Sequence, residues 1–287
     1  MMAIPRKKWW FMRLNFLLLA LTTLLSQMAS AALTSHDQIR VSQQSVRLIV
    51  APPMRLDVGI SVKTKVLNNS GTHMEAAFRE TEALLIGQRL RGEFESNDNW
   101  GVVRLFPEPS VIPQLSVQLS ILESDGRELV IEAITRAVTG ETILSAKYHD
   151  ISVEEDYTNE KRDPFADLYA TVVNDIADSL SPLSYQESYL RRLSSLRYAS
   201  ELVPESFPDY LAQVADLFTI RREPSRDDPL LIRLHRLQDY ELLFVDTIDE
   251  QLANVSREVS GAYYLWMRAS KEQLDWLDLR RERGVSA

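Results

Sequence analysis

The pattern of hydrophobic and polar residues changes character close to residue 160 of this sequence. Before that point most apolar residues alternate with polar ones, which is the period of a half-buried β-strand. After it they recur at steps of three and four, which is the period of an amphipathic helix. The change predicts an α+β fold, in which a sheet packed with helices is followed by an all-helical C-terminal module.

The boundary is marked by a predicted helix over 163–180, which we call the hinge helix. Asp163 is a suitable N-cap because its carboxylate accepts hydrogen bonds from free backbone N–H groups, and Pro164 fits the first turn of a helix. Asp175 and Asp178 lie off the apolar stripe. We interpret them as a solvated face rather than a metal-binding pair, because no histidine or further carboxylate is spaced to complete a site.

The sequence before the hinge helix predicts strands, one helix and a β-meander. These elements are expected as strand 46–50, strand 54–66, helix 72–94, strand 100–106 and strands 115–121, 129–138 and 143–153. Asp125-Gly126 predicts a hairpin turn of type I′, because this pair accepts positive φ values. Thr139-Gly140 predicts a second turn.

The sequence after the hinge helix predicts helices alone. They are expected over 185–202, over 210–218 and from Asp228-Pro229 onward. In the last of these, apolar residues between Phe244 and Ala269 form one continuous stripe, which predicts a helix of at least seven turns. Ser270 and Gln273 match a capping box, so a break and restart at this point is an alternative.

The first 31 residues have the pattern of a secretory signal peptide. Four basic residues precede an apolar run over 14–25, and Ala29-Ser30-Ala31 is a small-x-small cleavage site. This run is shorter than the roughly 20 residues that span a bilayer. Trp9 and Trp10 leave an uncleaved N-terminal anchor as an alternative, since tryptophan favours the membrane interface. The pattern predicts a periplasmic protein with no membrane span after cleavage.

The predicted organisation has four parts: a signal peptide over 1–31, a polar arm over 32–45, an α+β domain over 46–157 and a helical module over 158–287. The chain has no cysteine, so no disulfide stabilises it. A mature chain of roughly 256 residues is long enough to be stable through core packing alone.

The charge balance narrows the class of partner. The formal net charge is −9, and it falls to near −13 without the four basic residues of the leader. An acidic chain is a poor ligand for nucleic acid, since phosphate binding needs a basic surface. Electrostatic docking on anionic lipid is disfavoured for the same reason.

No stretch matches a motif of known chemistry. The sequence lacks a Gly-rich phosphate loop, a Gly-x-Ser-x-Gly elbow, a His-Glu-x-x-His zinc motif and Ser-x-x-Lys. Asp246, Asp249 and Glu250 form an acidic group on the last helix, which we interpret as a solvated face because no convergent partner is evident. The histidines, which we interpret as ordinary surface or half-buried residues, are His36, His73, His149 and His235. We predict no catalytic residue, no cofactor and no metal ligand.

The last helix carries a group of large side chains that we predict as a candidate partner surface. Its members are Tyr263, Tyr264, Trp266, Met267 and Trp276. A helix cannot bury the first four on one narrow stripe, and exposed aromatic patches mark interfaces. The alternative is that other helices cover this one on two sides.

Five stretches together resemble an uncharacterised exported family of Gram-negative bacteria. They are MRLDVG (54–59), WGVVRLFPEP (100–109), SDG (124–126), DPFADLY (163–169) and LFVDTIDE (243–250). The element order over about 46–180 is similar to the α+β domain of the TolB amino-terminal domain, the curli secretion lipoprotein and the lipoprotein activators of penicillin-binding proteins. Those lipoproteins carry a lipid-bearing cysteine, which this chain lacks. The resemblance implies binding to other envelope proteins, an inference by analogy.

These observations predict a non-enzymatic periplasmic adaptor or scaffold that binds other cell-envelope proteins. One alternative is a self-assembling component of an envelope secretion or ring complex, which implies a homo-oligomer. A second alternative is a periplasmic hydrolase with a carboxylate-based site, which requires an acidic pocket with paired carboxylates about 5–10 Å apart.

Overall fold

In the part of the chain that the structure describes, the sheet contains six strands whose spatial order differs from their order in the chain. In the computed structural model these are β1 (Gln38–Arg40), β2 (Val58–Thr64), β3 (Val103–Leu105), β4 (Leu115–Ser124), β5 (Glu128–Ala137) and β6 (Thr142–Ile151). They lie in the order β1-β6-β5-β4-β2-β3. Strands β4 to β6 form an antiparallel meander, whereas β2 runs parallel to both β3 and β4, and β1 runs parallel to β6.

The structure describes residues 38–40, 51–64, 73–96, 99–106, 112–158, 162–181, 185–225 and 227–285. The predicted signal peptide and the predicted strand 46–50 lie outside these residues. Residues 38–287 form one compact unit, so the predicted boundary after residue 157 lies within it.

Two helices cover one face of the sheet and form the main core with it. α1 (His73–Glu95) packs on β2 and β3, and α2 (Ala166–Leu180) packs on β6 and on α1. From Leu115 to Ile121, every second residue of β4 is buried towards them, as the period of a strand requires. These residues are Leu115, Val117, Leu119 and Ile121. The α+β class is therefore confirmed, together with the first helix, the meander and the hinge helix. The hinge helix begins at Ala166 after Phe165, so the prediction of Asp163 as its N-cap is wrong, although the Asp163 carboxylate accepts a hydrogen bond from the N–H of Phe165 at 2.9 Å.

The predicted hairpin between β4 and β5 forms, but its turn is not of type I′. A type I′ turn needs a positive φ at both central residues. In the Asp125-Gly126 pair, Gly126 has a positive φ of 87°, but Asp125 does not. Instead the carboxylate of Asp125 accepts hydrogen bonds from the N–H groups of Arg127 at 2.8 Å and Glu128 at 2.7 Å. The aspartate thus organises the turn through its side chain.

The predicted helix over 210–218 is wrong. After α3 (Glu187–Leu202), the chain forms a two-stranded hairpin of β7 (Leu211–Val214) and β8 (Leu217–Ile220), so the C-terminal module is not entirely helical. Contacts with distant residues select the hairpin. The N–H of Phe218 donates to the carbonyl of Thr139 at 2.8 Å, and the Arg197 guanidinium stacks 3.9 Å from the Phe218 ring.

The chain ends in one helix, α4 (Pro229–Val285), of 57 residues. At about 1.5 Å per residue it is about 85 Å long. The Asp228 carboxylate caps its first turn by accepting from the N–H groups of Leu230 at 2.9 Å and Leu231 at 3.2 Å. The alternative of a break at Ser270 is not observed.

Gly126 is the position at which α4 passes closest to the hairpin turn. Its φ is positive, and a Cβ added there would collide with the backbone of Met267. We predict that Gly126→Ala lowers the free energy of unfolding by at least about 2 kcal/mol, because the left-handed conformation alone costs roughly 1–2 kcal/mol. Urea denaturation measures this change.

Gly261→Ala is the matched control, because Gly261 lies within α4 with no atom within 4 Å of an added Cβ. Replacing a helical glycine by alanine is expected to raise the free energy of unfolding by roughly 0.5–1 kcal/mol. A gain in stability for both variants would contradict the close approach of α4 to the turn.

Candidate functional site

Asp249 fixes the middle of α4 to the outer strand of the sheet. Its side chain is 2% exposed, and its carboxylate accepts hydrogen bonds from the backbone N–H of Leu105 and from Gln88 Nε2, both at 3.2 Å. Arg91 Nη1 lies 2.7 Å from the same carboxylate. The interpretation of Asp249 as part of a solvated face is therefore wrong, because this residue satisfies groups on α1 and β3.

A cleft of about 540 Å³ opens beside this contact, between α1, the loop before β3 and α4. The guanidinium of Arg91 also contacts Glu95 at 2.8 Å, and Arg104 holds Asp246 through two contacts of 2.5 and 3.0 Å. Three carboxylates of the cleft are thus paired with arginine. General acid catalysis instead needs a carboxyl group that keeps its proton, so the arrangement is suited to clamping α4 in place.

A second cleft, of about 620 Å³, lies between α3, the β7–β8 hairpin and the ends of β4 and β5. Arg197 lines it and donates to the carbonyl of Val138 at 2.7 Å. Burial lowers the pKa of Arg197, an effect that its neighbour Glu201 opposes. The guanidinium joins α3 to the meander and to the hairpin, which is a structural role.

Glu82 is a second buried carboxylate that holds α4. Its Oε1 accepts hydrogen bonds from Ser124 Oγ at 2.6 Å and from the Tyr263 hydroxyl at 2.9 Å, and its Oε2 contacts Arg79 Nη1 at 2.6 Å. Burial, reinforced by the neighbouring Glu82, raises the pKa of Tyr263 well above its ordinary value. The hydroxyl therefore keeps its proton and remains a hydrogen-bond donor that links α4 to α1.

Four of the five residues predicted as a partner surface make contacts within the chain. Tyr264 and Met267 are buried, and Tyr263 and Trp266 are half-buried. The ring of Trp266 lies 4.6 Å from that of Phe78 on α1. At these four residues, other parts of the fold therefore cover the helix, as in the alternative given for this surface.

Trp276 is the member of that group that faces solvent, with 53% of its surface exposed. The guanidinium of Arg280 lies 4.8 Å from its ring. The opposite side of the helix is fixed here by an ion pair of 2.5 Å between Arg127 and Asp278. Lys271, which is 7% exposed, adds an ion pair with Asp275 on the same helix.

The outward side of α4 carries two clusters of exposed apolar residues. The proximal cluster, 44–70% exposed, is Leu237, Tyr240, Leu243 and Phe244. The distal cluster, 51–60% exposed, is Leu265, Trp276 and Leu279. At 3.6 residues per turn all seven project within an arc of about 120°. Exposed apolar residues that group together in this way mark interaction sites.

The stretches that carry the family resemblance form structural contacts where the structure describes them. Arg55 donates through Nε to the carbonyl of Trp100 at 2.8 Å, and Asp57 accepts from the N–H of Val102 at 2.9 Å. These contacts join the start of β2 to the start of β3. Their side chains therefore support the sheet edge against which α4 is clamped.

Asp150 is a buried carboxyl group in an acidic neighbourhood on the helix side of β6. Burial raises its pKa to about 6, and the nearby Asp167, Asp156 and Asp163 contribute, although a hydrogen bond from the N–H of Ile151 opposes the shift. A carboxyl group with this environment costs folding free energy once it ionises.

No protein-family model matches this chain, and no curated protein is significantly similar to it in sequence. The resemblance to an exported Gram-negative family therefore remains a prediction. Within the described residues, no helix combines the length and apolar character needed to cross a membrane.

We predict that Asp249→Ala lowers the free energy of unfolding by about 3 kcal/mol, because it leaves the Leu105 N–H and the Arg91 guanidinium without their buried acceptor. Asp246→Ala is the control on the same helix. Its ion pair with Arg104 is half-exposed, so its loss is expected to cost at most about 1 kcal/mol. Chemical denaturation of both variants gives the comparison, and equal losses would contradict a specific role of Asp249.

We predict that Asp150→Asn stabilises the protein at pH 7.5 and has little effect at pH 4. An acid whose pKa is raised by folding binds more protons in the folded state, so stability falls as pH rises from about 4 to 6 and stays low above that. We expect the free energy of unfolding to rise by about 1–2 kcal/mol at pH 7.5. This is less than the free energy that corresponds to the pKa shift of Asp150, because solvent screens part of the interaction.

Thermal and urea unfolding at the two pH values measure this difference. Asp209→Asn is the control, because it makes the same substitution at an exposed position. A gain for Asp150→Asn that is equal at both pH values would contradict an ionisation effect.

Proposed function

We propose that this protein is a non-enzymatic adaptor of the bacterial cell envelope that binds another envelope protein through the distal cluster. The observation that carries the proposal is the exposed Trp276, flanked on the same side of α4 by Leu265 and Leu279. Export to the periplasm is part of the proposal and rests on the signal-peptide pattern of residues 1–31.

Trp276 is suited to anchor a partner. Tryptophan and arginine are the residue types most enriched among those that dominate binding energy, and here Arg280 stacks on the indole ring. Burying the exposed half of a tryptophan removes on the order of 100 Å² of apolar surface from water, which contributes about 2.5 kcal/mol. That free energy corresponds to roughly 70-fold in affinity.

The distal cluster is also presented by a helix that is already fixed. The ion pair between Arg127 and Asp278 holds this part of α4 to the hairpin turn, and the buried Tyr264 donates to the carbonyl of Tyr157 at 2.7 Å. Binding to a fixed surface costs less conformational entropy than binding to a mobile one. This supports a role in presenting a surface.

The pairing of three of the four cleft carboxylates supports binding over hydrolysis. Asp249 and Glu95 share one guanidinium, and Asp246 is held by another. A carboxylate-based hydrolase needs one carboxyl group free to donate a proton and a second free to attack or activate water. We therefore place the function on the outward side of α4 rather than in the cleft beneath it.

The test is crosslinking in intact cells that express the full chain, followed by affinity recovery and mass spectrometry of the captured proteins. We expect the wild type to recover one envelope protein reproducibly, and Trp276→Ala to reduce its recovery by at least about tenfold. The control is Arg281→Ala, which changes a neighbouring side chain that is 79% exposed and should leave recovery unchanged.

Point variants are preferable here to removal of the whole segment from residue 263 onward. That truncation would also remove Tyr264 and Met267 from the core and the Tyr263 hydroxyl from Glu82, so a loss of binding would follow from unfolding. Equal recovery of the same protein by the wild type and by Trp276→Ala, Leu279→Ala would refute the distal cluster as the binding surface.

A further inference from the structure

We propose that the proximal cluster binds a second copy of this chain, with the two α4 helices side by side and antiparallel. This inference concerns a different surface and a different partner from the adaptor function proposed above. It rests on the position of the cluster, on its exposed area and on the distribution of charge on either side of it.

The proximal cluster occupies a part of α4 that lies between two attachment points. Before it, Leu231 and Leu234 are buried against α3 and the turn that follows it. After it, Asp249 fixes the helix to β3. Between these points the outward side chains are highly exposed, with Tyr240 at 70% and Phe244 at 66%. The backbone there is therefore held in place while its apolar side faces water.

The exposed area is of the size that one protomer contributes to the centre of an interface. With side-chain areas of about 150–250 Å² for the aromatic members, the four residues expose on the order of 400 Å². That is about half of the roughly 800 Å² that each partner buries in a standard interface. Exposed polar residues on the adjoining turns, Arg233, Arg236, Thr247 and Gln251, supply further area.

The charges that flank the cluster differ in sign at its two ends. The exposed Arg233 and Arg236 precede it, and the exposed Glu250 follows it, whereas Asp246 is already held by Arg104. Such a helix side is complementary to itself when a second copy runs in the opposite direction. A parallel pair would instead place arginine beside arginine and acid beside acid, which is repulsive.

The register follows from placing a two-fold axis at the centre of the cluster, between residues 240 and 241. Position 233 then faces position 248, and position 236 faces position 245 of the second copy. Arg233 therefore lies within two residues, or about 3 Å along the axis, of Glu250 in the other helix. Each contact occurs twice, as in any isologous interface.

The same register pairs the apolar residues. Leu237 faces Phe244 of the second copy, and Phe244 faces its Leu237, so the two residues exchange roles across the axis. Tyr240 lies next to the axis and meets its own counterpart. Antiparallel helices also place opposite ends of their dipoles side by side, which is favourable. An unrelated protein bound to this side of the helix would match both the apolar spacing and the reversed order of charges only by coincidence.

The experiment is sedimentation velocity on the full-length purified protein over a range of concentrations. We expect a dimer of twice the monomer mass, and we expect Tyr240→Ser, Phe244→Ser to raise its dissociation constant by at least about 100-fold. Leu265→Ser is the matched control, because Leu265 is 60% exposed on the same helix but belongs to the distal cluster. Circular dichroism should show that all these variants remain folded.

A charge reversal tests the register. Arg233→Glu is expected to weaken the dimer at least tenfold, and the combination of Arg233→Glu with Glu250→Arg to restore it. Because the chain has no cysteine, single cysteines report direction directly. Tyr240→Cys should form an intermolecular disulfide, whereas Arg233→Cys should not, since the two positions 233 lie about 20 Å apart in the antiparallel pair.

Three results would overturn the proposal. A protein that stays monomeric at all concentrations excludes the dimer, and a dimer unaffected by Tyr240→Ser, Phe244→Ser excludes this surface. Efficient disulfide formation by Arg233→Cys would show a parallel pair. None of these results concerns the distal cluster, and the adaptor function is tested separately by crosslinking with Trp276→Ala.

Discussion

Two buried carboxylates, Glu82 and Asp249, determine where the long C-terminal helix lies on this protein. A carboxylate removed from water requires several hydrogen-bond donors, and each of these finds them on more than one element. Glu82 brings together α1, the end of β4 and Tyr263 of α4, whereas Asp249 joins α4 to α1 and to the backbone of β3. The helix therefore has one defined position, and its outward side is defined with it.

This attachment explains why the residues on the outward side of α4 carry the functional proposals. In the cleft beneath the helix, Asp249, Glu95 and Asp246 are paired with arginine, so these charges serve the attachment itself. The apolar residues on the other side have no such structural use. Both the adaptor surface at Trp276 and the dimer contact at Tyr240 and Phe244 depend on a helix held rigidly from behind.

Much of the fold was predictable because local pattern and final structure agree over most of the chain. Alternation predicted the meander, and Asp163-Pro164 predicted the hinge helix. The helix predicted over 210–218 failed because its apolar spacing suits a strand pair as well, and contacts with Thr139 and Arg197 decided between them. No local pattern could reveal that Asp249 would be buried, since its partner is a backbone N–H in a strand 144 residues earlier.

The candidate site was predicted only in part, for a related reason. Trp276 belongs to the surface predicted from the sequence, but Phe244 was counted only in the continuous stripe that predicts the last helix, and the proximal cluster was not predicted. The signal was present, since Leu242, Leu243, Phe244 and Val245 are four consecutive apolar residues and a helix packed on one side cannot bury them all. The same reasoning had been applied to the residues around Tyr263, where α1 and the turn at Tyr157 cover the second side.

The hydrogen bond between Asp249 and the N–H of Leu105 also limits how the sheet can grow. A strand at the edge of a sheet is normally able to recruit an extended peptide by β-augmentation. Here the β3 edge is closed, because α4 covers it and a carboxylate occupies its outward donor. Within the described residues, an extended peptide would therefore add at the opposite edge of the sheet, which β1 forms.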